Sequence, residues 1–270
     1  MKLEIDGQEV FVGTGSRPFP VGGVAPGQGA VLFVHGAGMD HTVWSMPARY
    51  FARQGFAVLA PDLPGHGMSA GPALASVEAM VRWLLALMDA LQVGELSAVG
   101  HSMGSLIVHA LAAMHPQRVH RAVLLGASLP MPVTGALLSA AADDHHAAYG
   151  MANAWSYSTA GRMGGNPVPG MFAFAAGERL MERCGPGVFH ADLSACNDFD
   201  PSHLPLPGIP VTVVVGTDDR MTPMRAGRAL AERLGSTATV RTLPGAGHSM
   251  MAECPNEVLD VLIEAIGSPA

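Results

Sequence analysis

The chain has few cysteines and few basic side chains. Its 270 residues include three cysteines, Cys184, Cys196 and Cys254, and so sparse and odd a set argues against a disulfide framework and favours a reducing compartment. Lysine and arginine number 15 against 22 acidic residues, which gives a net charge of −7 without a basic cluster. We therefore expect no nucleic-acid partner.

Long apolar runs and metal-binding motifs are also missing. Residues 1–7 carry acidic side chains where a signal peptide needs an apolar core, and no apolar run reaches membrane-spanning length. The 12 histidines include no H-E-x-x-H, the cysteines include no C-x-x-C, and the adjacent His145 and His146 point their side chains apart. The sequence thus predicts a cytoplasmic protein with no membrane span, no metal and no cofactor.

What the sequence does contain is an alternation of strands and helices. Residues 3–12 alternate apolar and polar side chains around Asp6-Gly7, which predicts a β-hairpin. Ser76 is the predicted N-cap of an apolar pattern at helical spacing that reaches Leu91. Short apolar, β-branched runs predict buried parallel strands at residues 30–34, 56–60, 96–99, 119–125, 211–216 and 238–243. These strands predict a single α/β core.

Residues 100–104 read Gly-His-Ser-Met-Gly, a G-x-S-x-G pattern between a predicted strand and a helix-like run. A serine on so sharp a turn needs small residues two positions before and after it, because neighbouring backbone comes too close for a Cβ. Such a turn presents the Ser102 hydroxyl above the sheet and aims the backbone N–H of Met103 at the same space. The pattern predicts a nucleophile at Ser102, and a plain tight turn is the alternative.

A nucleophilic serine needs a base and an acid, and both residue types follow later strands. Asp218 and Asp219 come after strand 211–216, and His248 follows strand 238–243. Functional residues of open α/β sheets lie at this end of the strands. The residue pattern leaves both aspartates open as the acid. The glycines beside His248 predict an exposed, mobile loop, and a surface histidine without catalytic function is the alternative.

Five motifs in this order resemble the α/β-hydrolase fold family over nearly the whole chain. They are His35-Gly36-Ala37-Gly38, which is similar to the family's oxyanion loop, the turn at residues 62–69, the serine turn, the acid loop and Gly247-His248. The resemblance implies a mostly parallel, eight-stranded sheet with helices on both faces and a helical cap inserted after the sixth strand.

The resemblance also implies roles for particular residues. It favours Asp219 as the acid, because the family's acid lies four residues before the proline of this loop, here Pro223. It implies an oxyanion hole formed by the backbone N–H groups of Ala37 and Met103. The histidines beside sharp glycine turns are expected to support loop shape; they are His35, His66 and His101.

The βα rhythm stops between about residues 129 and 206. We expect a core domain from residues 1–128 and 207–270, and the resemblance implies that residues 129–206 form a cap over Ser102. Several apolar side chains of this segment are candidates to line a pocket, although core packing is the alternative for each; they are Met151, Trp155, Met163, Met171, Phe172, Phe174, Met181 and Phe189.

The resemblance implies a serine hydrolase, with Ser102, Asp219 and His248 as its catalytic residues. We expect a carboxylesterase that cleaves esters of small to medium apolar substrates through an acyl-enzyme intermediate. The alternatives with the same residues are a cofactor-free perhydrolase and a carbon–carbon bond hydrolase acting on a diketone-like acid. A cation would bind that acid, and the candidates are Arg162, Arg179 and Arg183.

A ligand-binding receptor with residual hydrolysis is an alternative of another class. Epoxide or haloalkane hydrolysis by the family's usual route would need an aspartate at the position of Ser102. The natural substrate, the acyl and alcohol preference and the oligomeric state stay open at this level.

Overall fold

The computed structural model describes residues 1–143, 146–165 and 172–267. Within them the strands are β1 (Lys2–Ile5), β2 (Gln8–Gly13), β3 (Ala30–Val34), β4 (Ala57–Pro61), β5 (Leu96–His101), β6 (Val119–Leu125), β7 (Val211–Gly216) and β8 (Ala238–Leu243). They form one eight-stranded sheet in the order β1-β2-β4-β3-β5-β6-β7-β8. Strands β3 to β8 are parallel, whereas β1 and β2 are antiparallel to their neighbours. The predicted mostly parallel sheet is confirmed.

The N-terminal hairpin has the predicted turn. Asp6 and Gly7 both have positive φ, 51° and 75°, as a two-residue turn between right-twisted strands requires. Ile5 is paired with Gln8 directly across this turn. The hairpin then extends the edge of the sheet, because β2 pairs with β4.

Helices cover both faces of the sheet, as predicted. The α-helices of the described chain are α1 (Ser45–Arg53), α2 (Val77–Ala90), α3 (Met103–Met114), α4 (Gly135–Ala142), α5 (His146–Ser156), α6 (Thr159–Arg162), α7 (Ala173–Met181), α8 (Val188–Asp198), α9 (Met224–Leu234), α10 (Met250–Glu253) and α11 (Pro255–Ile266). Because successive strand residues face opposite sides, Leu32 packs with α2, α3 and α9, whereas Phe33 packs with α1 and α11. The predicted N-cap of α2 is confirmed, since Ser76 Oγ accepts from Ala79 N at 3.2 Å.

Residues 129–206, called here the helical insert, follow the sixth strand and contain α4 to α8. The insert has a hydrophobic cluster of its own, formed by Leu137, Ala141, Ala148, Ala152, Met181, Phe189 and Leu193. Ala37, which follows β3, packs against this cluster. The insert therefore contacts the loop of the sheet in which the sequence predicts an oxyanion-hole donor. Across the described residues, every helix is too short or too polar to span a bilayer.

Candidate active site

Ser102 lies on a sharp turn between β5 and α3, with φ 54° and ψ −118°. A positive φ is strained for a residue with a side chain, and such strain persists only where surrounding contacts hold it. Gly100 and Gly104 permit the turn: a Cβ on Gly100 would overlap the carbonyl oxygen of Gly104, and a Cβ on Gly104 would overlap that of Val34. The predicted steric reason for both glycines is thus present in the structure.

The two predicted oxyanion-hole residues lie beside this turn. Met103 is the first residue of α3, so its backbone N–H has no partner within its own helix, and it lies at the positive end of the helix dipole. Ala37 lines the same cavity as Ser102. The next residue, Gly38, donates its backbone N–H to Asp192 Oδ2 at 2.9 Å.

Asp219 and His248 meet at the carboxyl ends of β7 and β8. His248 Nδ1 lies 2.9 Å from Asp219 Oδ2, and His248 and Asp219 are 3% and 6% exposed. The other oxygen, Asp219 Oδ1, accepts the backbone N–H groups of Met221 and Thr222 at 2.9 and 2.8 Å. Asp218 is exposed and accepts from Thr217 instead. Of the two aspartates that the pattern left open, Asp219 is the one that contacts the histidine.

The surroundings of Asp219 favour its ionised form. Burial alone would raise the pKa of this carboxyl group, but the charge and hydrogen bond of His248, together with two hydrogen bonds from Thr222, outweigh burial and hold the pKa below its ordinary value. Asp219 therefore keeps a negative charge next to the imidazole. A charge in that place holds the Nδ1 proton and leaves Nε2 of His248 as the free nitrogen.

The prediction that His248 lies on an exposed loop was wrong. His248 is 3% exposed, and the backbone carbonyl of His248 accepts a hydrogen bond from His101 Nε2 at 2.9 Å. The following residue, Ser249, donates its N–H to the carbonyl of Ser156 in the helical insert at 2.8 Å. The loop is buried because the insert packs over it, a contact that the glycine pattern around His248 does not encode.

A cavity of about 130 Å³ contains Ser102 and His248 in its wall. Of the eight apolar pocket candidates, Trp155, Met181 and Phe189 line this cavity. Met163 and Phe172 are exposed instead, Met151 and Phe174 lie outside the wall, and Met171 lies outside the described residues. The remaining wall is mainly apolar and includes Ala37, Met39, Met131, Pro132, Val133, Leu137, Ala152, Leu193 and Cys196.

A second cavity, of about 540 Å³, adjoins the first and shares Met39, Ser156 and Met181 with it. Arg179 and Arg183, two of the three predicted carboxylate ligands, line this second cavity. Both have acidic neighbours: Arg179 pairs with Glu182 at 2.6 Å, and Arg183 lies 3.3 Å from Asp40. Arg162 lines neither cavity.

The arginine in the wall of the Ser102 cavity is Arg220, which was not among the predicted cations. It is exposed and follows Asp219 directly. Within the described residues Arg220 has no acidic partner, and no aspartate or glutamate lines the same cavity. The position of Arg220 next to Asp219 was visible in the sequence, but its place in the wall of the cavity was not.

The histidines beside glycine turns hold backbone, as predicted. His35 Nδ1 donates to the carbonyl of Gly36, and His35 Nε2 accepts from Leu63 N at 3.1 Å, which defines a neutral imidazole. Burial, then the neighbouring His66, lower the pKa of His35 to about 4. Burial, then His248, lower the pKa of His101 to about 3. Both rings stay uncharged near neutral pH.

Within the part of the chain that the structure describes, two groups of side chains bring potential metal ligands within 4.8 Å of one another. The first group is Asp40, His41 and Asp62. Asp62 accepts hydrogen bonds from the backbone N–H and Nδ1 of His41 and from the backbone N–H of Met68, while Asp40 accepts one from the backbone N–H of Thr42. These bonds shape the loops after β3 and β4. The second group, His146, Glu178 and Glu182, lies on the surface of α5 and α7. Sequence spacing showed neither group, and neither contains a residue that lines the Ser102 cavity.

A family model described as the alpha/beta hydrolase family matches residues 31–261. The chain belongs to the alpha/beta hydrolase family. The matched range runs from β3 into α11, so it includes Ser102, Asp219 and His248. The resemblance drawn from five motifs is confirmed.

Members of the alpha/beta hydrolase family with known structures share this fold. An enol-lactonase from Burkholderia xenovorans LB400 superimposes with a TM-score of 0.81 at 22% identity, covering 98% of each chain. A thermophilic esterase from Thermogutta terrifontis has a TM-score of 0.80 at 23% identity, covering 98% of this chain and 97% of its own. At identities this low, the structural similarity shows a shared fold and nothing further.

Among curated relatives, Protein ABHD8 of Bos taurus is 27% identical over 254 residues, covering 87% of this chain and 55% of its own. The chain spans about half the length of the curated ABHD8 relatives that it matches. Together, the family and its neighbours support a hydrolase.

Proposed function

We propose that this hydrolase cleaves carboxylic esters of small to medium, apolar substrates through an acyl-enzyme intermediate. The observation that carries the proposal is the shared cavity of Ser102 and His248, with Asp219 on the far nitrogen of the imidazole. A strained serine, a buried histidine and a buried carboxylate, in that order, supply a nucleophile, a base and an acid.

In the proposed mechanism, the oxygen of Ser102 attacks the ester carbonyl while His248 Nε2 takes the hydroxyl proton. Asp219 holds the Nδ1 proton of the imidazole and stabilises the imidazolium that forms. The tetrahedral intermediate then collapses: the bond between carbon and the alcohol oxygen breaks, and the alcohol leaves with the proton from His248. A water molecule, deprotonated by His248, attacks the acyl-serine and releases the acid and the free serine.

The negative oxygen of the tetrahedral intermediate needs donors that do not have to reorganise. We assign this role to the backbone N–H groups of Met103 and Ala37, which flank the serine turn from α3 and from the loop after β3. Loss of one donor of this kind typically raises the barrier by about 3 to 4 kcal/mol. Rigid backbone on two different elements is a suitable source of such donors.

The walls of the cavity support the choice of substrate. Trp155, Met181 and Phe189 come from the helical insert, so we propose that residues 129–206 act as the cap that covers the acyl or alcohol group. A mainly apolar wall favours a small or medium apolar group over a highly charged one. The structural neighbours described as an esterase and as an enol-lactonase are consistent with an ester substrate.

A second candidate reaction is the hydrolysis of a carbon–carbon bond in a diketone-like acid by the same three residues. Arg220 favours it, because an unpaired cation in the wall of the Ser102 cavity suits the carboxylate of such a substrate. The two reactions share nucleophile, base and acid, so the substrate alone separates them.

The test is hydrolysis of p-nitrophenyl esters of graded acyl length by the wild type, Ser102→Ala and a control, Ser139→Ala, on the exposed face of α4. Labelling by a fluorophosphonate probe counts active serines in each sample. We expect turnover and labelling to vanish in Ser102→Ala and to persist in the control. Labelling of Ser102 without ester turnover would move the proposal to the diketone-like acids, and absence of both would overturn it.

A further inference from the structure

A buried carboxylate of the helical insert contacts the loop that contains Ala37. Asp192, on α8, is fully buried, and its Oδ2 atom accepts the backbone N–H of Gly38 at 2.9 Å. The same oxygen lies 2.8 Å from Nε2 of His66, which is 1% exposed. Asp192 thus joins the insert to two loops of the core, and one of its bonds ends one residue after a proposed oxyanion-hole donor.

His66 meets an acceptor at both ring nitrogens. Its Nδ1 lies 3.1 Å from the carbonyl oxygen of Pro64, while Nε2 faces Asp192. An imidazole with two acceptors is doubly protonated. Burial opposes that charge, but the charge and the hydrogen bond of Asp192 outweigh burial and raise the pKa of His66 above its ordinary value. The contact is therefore a buried ion pair, and removal of either partner would leave the other uncompensated.

A second carboxylate makes the equivalent contact at the histidine loop. Glu253, on α10, accepts the backbone N–H of Gly247 through Oε2 at 2.7 Å. Its other oxygen accepts both the backbone N–H and the hydroxyl of Ser158, at 3.0 and 2.5 Å. Ser158 lies in the insert between α5 and α6, and Gly247 is adjacent to His248.

Close packing leaves little freedom at this contact. A Cβ on Gly247 would lie 2.5 Å from the backbone nitrogen of Ser158 and 2.6 Å from Glu253 Oε2. A Cβ on Gly161, in α6, would overlap Glu253 Oε1. The insert therefore approaches the histidine loop to backbone distance, and the carboxylate satisfies the donors that this approach buries.

We propose that Asp192 and Glu253 are positioning residues. By anchoring the helical insert to the core, they fix the orientation of the loop that contains Ala37 and the position of the catalytic His248. The inference rests on the catalytic roles proposed above. Each carboxylate holds a backbone N–H one residue away from a group that acts in the reaction, Ala37 in one case and His248 in the other. The insert is then part of the catalytic geometry as well as a wall of the cavity.

The two carboxylates differ in how many of their oxygens accept hydrogen bonds. Asp192 receives both of its donors on one oxygen, so Asp192→Asn keeps an acceptor in place for Gly38. Glu253 uses both oxygens, so Glu253→Gln turns an NH₂ group towards a donor and breaks one contact. We therefore expect Asp192→Asn to retain catalysis better than Asp192→Ala, whereas Glu253→Gln and Glu253→Ala lose it to a similar degree.

The measurement is kcat per fluorophosphonate-labelled serine, with KM and the pH profile of kcat/KM, for these four variants. The matched controls are Asp198→Ala, at the exposed end of α8, and Glu257→Gln, in the exposed first turn of α11. We expect kcat to fall at least 10-fold in Asp192→Ala and in both Glu253 variants, with KM changed less than 3-fold. The Glu253 variants should also change the pH profile of kcat/KM, because Glu253 holds the backbone next to the proposed base.

A purely structural role for these residues would lower the amount of labelled protein and leave kcat per labelled serine equal to that of the controls. That result in soluble Asp192→Ala, Glu253→Gln and Glu253→Ala would overturn the inference while leaving the proposed function intact. If an alanine variant does not fold, the comparison of Glu253→Gln with Glu257→Gln decides. Turnover that persists in Ser102→Ala would instead remove the proposed function.

Discussion

Thr222 donates its hydroxyl proton to Asp219 Oδ2 at 2.8 Å, and its Oγ1 atom lies 3.2 Å from His248 Nδ1. The same residue donates its backbone N–H to the other carboxylate oxygen at 2.8 Å. Thr222 is 4% exposed, so both bonds are shielded from water. A buried hydroxyl in this place fixes the orientation of the carboxylate towards the imidazole.

We expect Thr222→Val to lower kcat by about 10-fold, because a buried hydrogen bond to a charged group contributes on the order of 1.5 kcal/mol. Thr222→Ser keeps the hydroxyl and should stay within about 2-fold of the wild type. Steady-state kinetics with a p-nitrophenyl ester checks this. Equal activity of the valine and serine variants would show that the hydroxyl does not orient Asp219.

The assignment of Ala37 to the oxyanion hole makes a prediction about backbone rather than side chain. Ala37→Gly keeps the N–H and should change kcat only mildly. Ala37→Pro removes the N–H, so the barrier should rise by about 3 to 4 kcal/mol, which corresponds to a loss of roughly 10² to 10³ in kcat. Measurement of kcat per labelled serine separates this loss from misfolding. A proline variant with full turnover would remove Ala37 from the oxyanion hole.

The unpaired Arg220 predicts a preference between two substrates of the same shape. Monomethyl glutarate carries a carboxylate where methyl 5-methylhexanoate carries an isopropyl group. Arg220→Gln should lower kcat/KM by roughly 3- to 10-fold for the anionic ester and leave the neutral ester unchanged, because an exposed ion pair contributes about 1 kcal/mol. Arg220→Lys should keep part of the preference. Rising salt should weaken it.

Arg228→Gln, on the exposed face of α9, is the matched control for charge. It removes one positive charge from the same region of the chain without touching the cavity wall. If Arg220→Gln and Arg228→Gln affect both esters alike, Arg220 does not bind the substrate, and the support for an acidic substrate is lost.

His109 predicts a pH dependence of stability that is separate from catalysis. It lies on α3 and is 3% exposed, and burial, then the charge of Arg233, lower its pKa to about 4. The unfolded chain binds a proton here near the ordinary pKa of 6.5, whereas the folded chain does not. Stability is therefore lost as the pH falls from about 6.5 towards 4.

His109→Leu removes this group, so the variant should gain stability relative to the wild type as the pH falls. Between pH 8 and pH 5 the expected relative gain is on the order of 2 kcal/mol. Urea unfolding at both pH values measures it, and the exposed His203→Gln serves as a control. A difference between His109→Leu and the wild type that does not change with pH would contradict the assignment.

Most of the fold was predictable because its signals are local. The β-branched runs at residues 119–125, 211–216 and 238–243 form strands with those same bounds. Other boundaries moved slightly: the strand predicted at residues 56–60 is Ala57–Pro61, and the strand predicted at residues 96–99 is Leu96–His101. Periodicity locates an element well, but its ends depend on hydrogen bonds that periodicity does not describe.

The candidate site was predictable where its residues form a recognisable spacing in the sequence. The glycines at positions 100 and 104 marked the turn, and the resemblance favoured the one aspartate that contacts His248. Thr222 and Arg220 were missed, because their relation to the cavity depends on the path of the chain after Asp219. The burial of His248 was also missed, because residues more than 90 positions away cover its loop.

The sequence by itself determined the order of strands and helices, the strained turn at Ser102 and the chain order of serine, acid and histidine, since each depends on neighbouring residues and their steric limits. Only the tertiary structure decided that Asp192 pairs with His66, 126 positions away. It also decided that Glu253 binds both Ser158, 95 positions away, and Gly247, 6 positions away. Such contacts have no sequence period. They exist because burial of polar groups from distant segments requires each donor to find an acceptor in the folded chain.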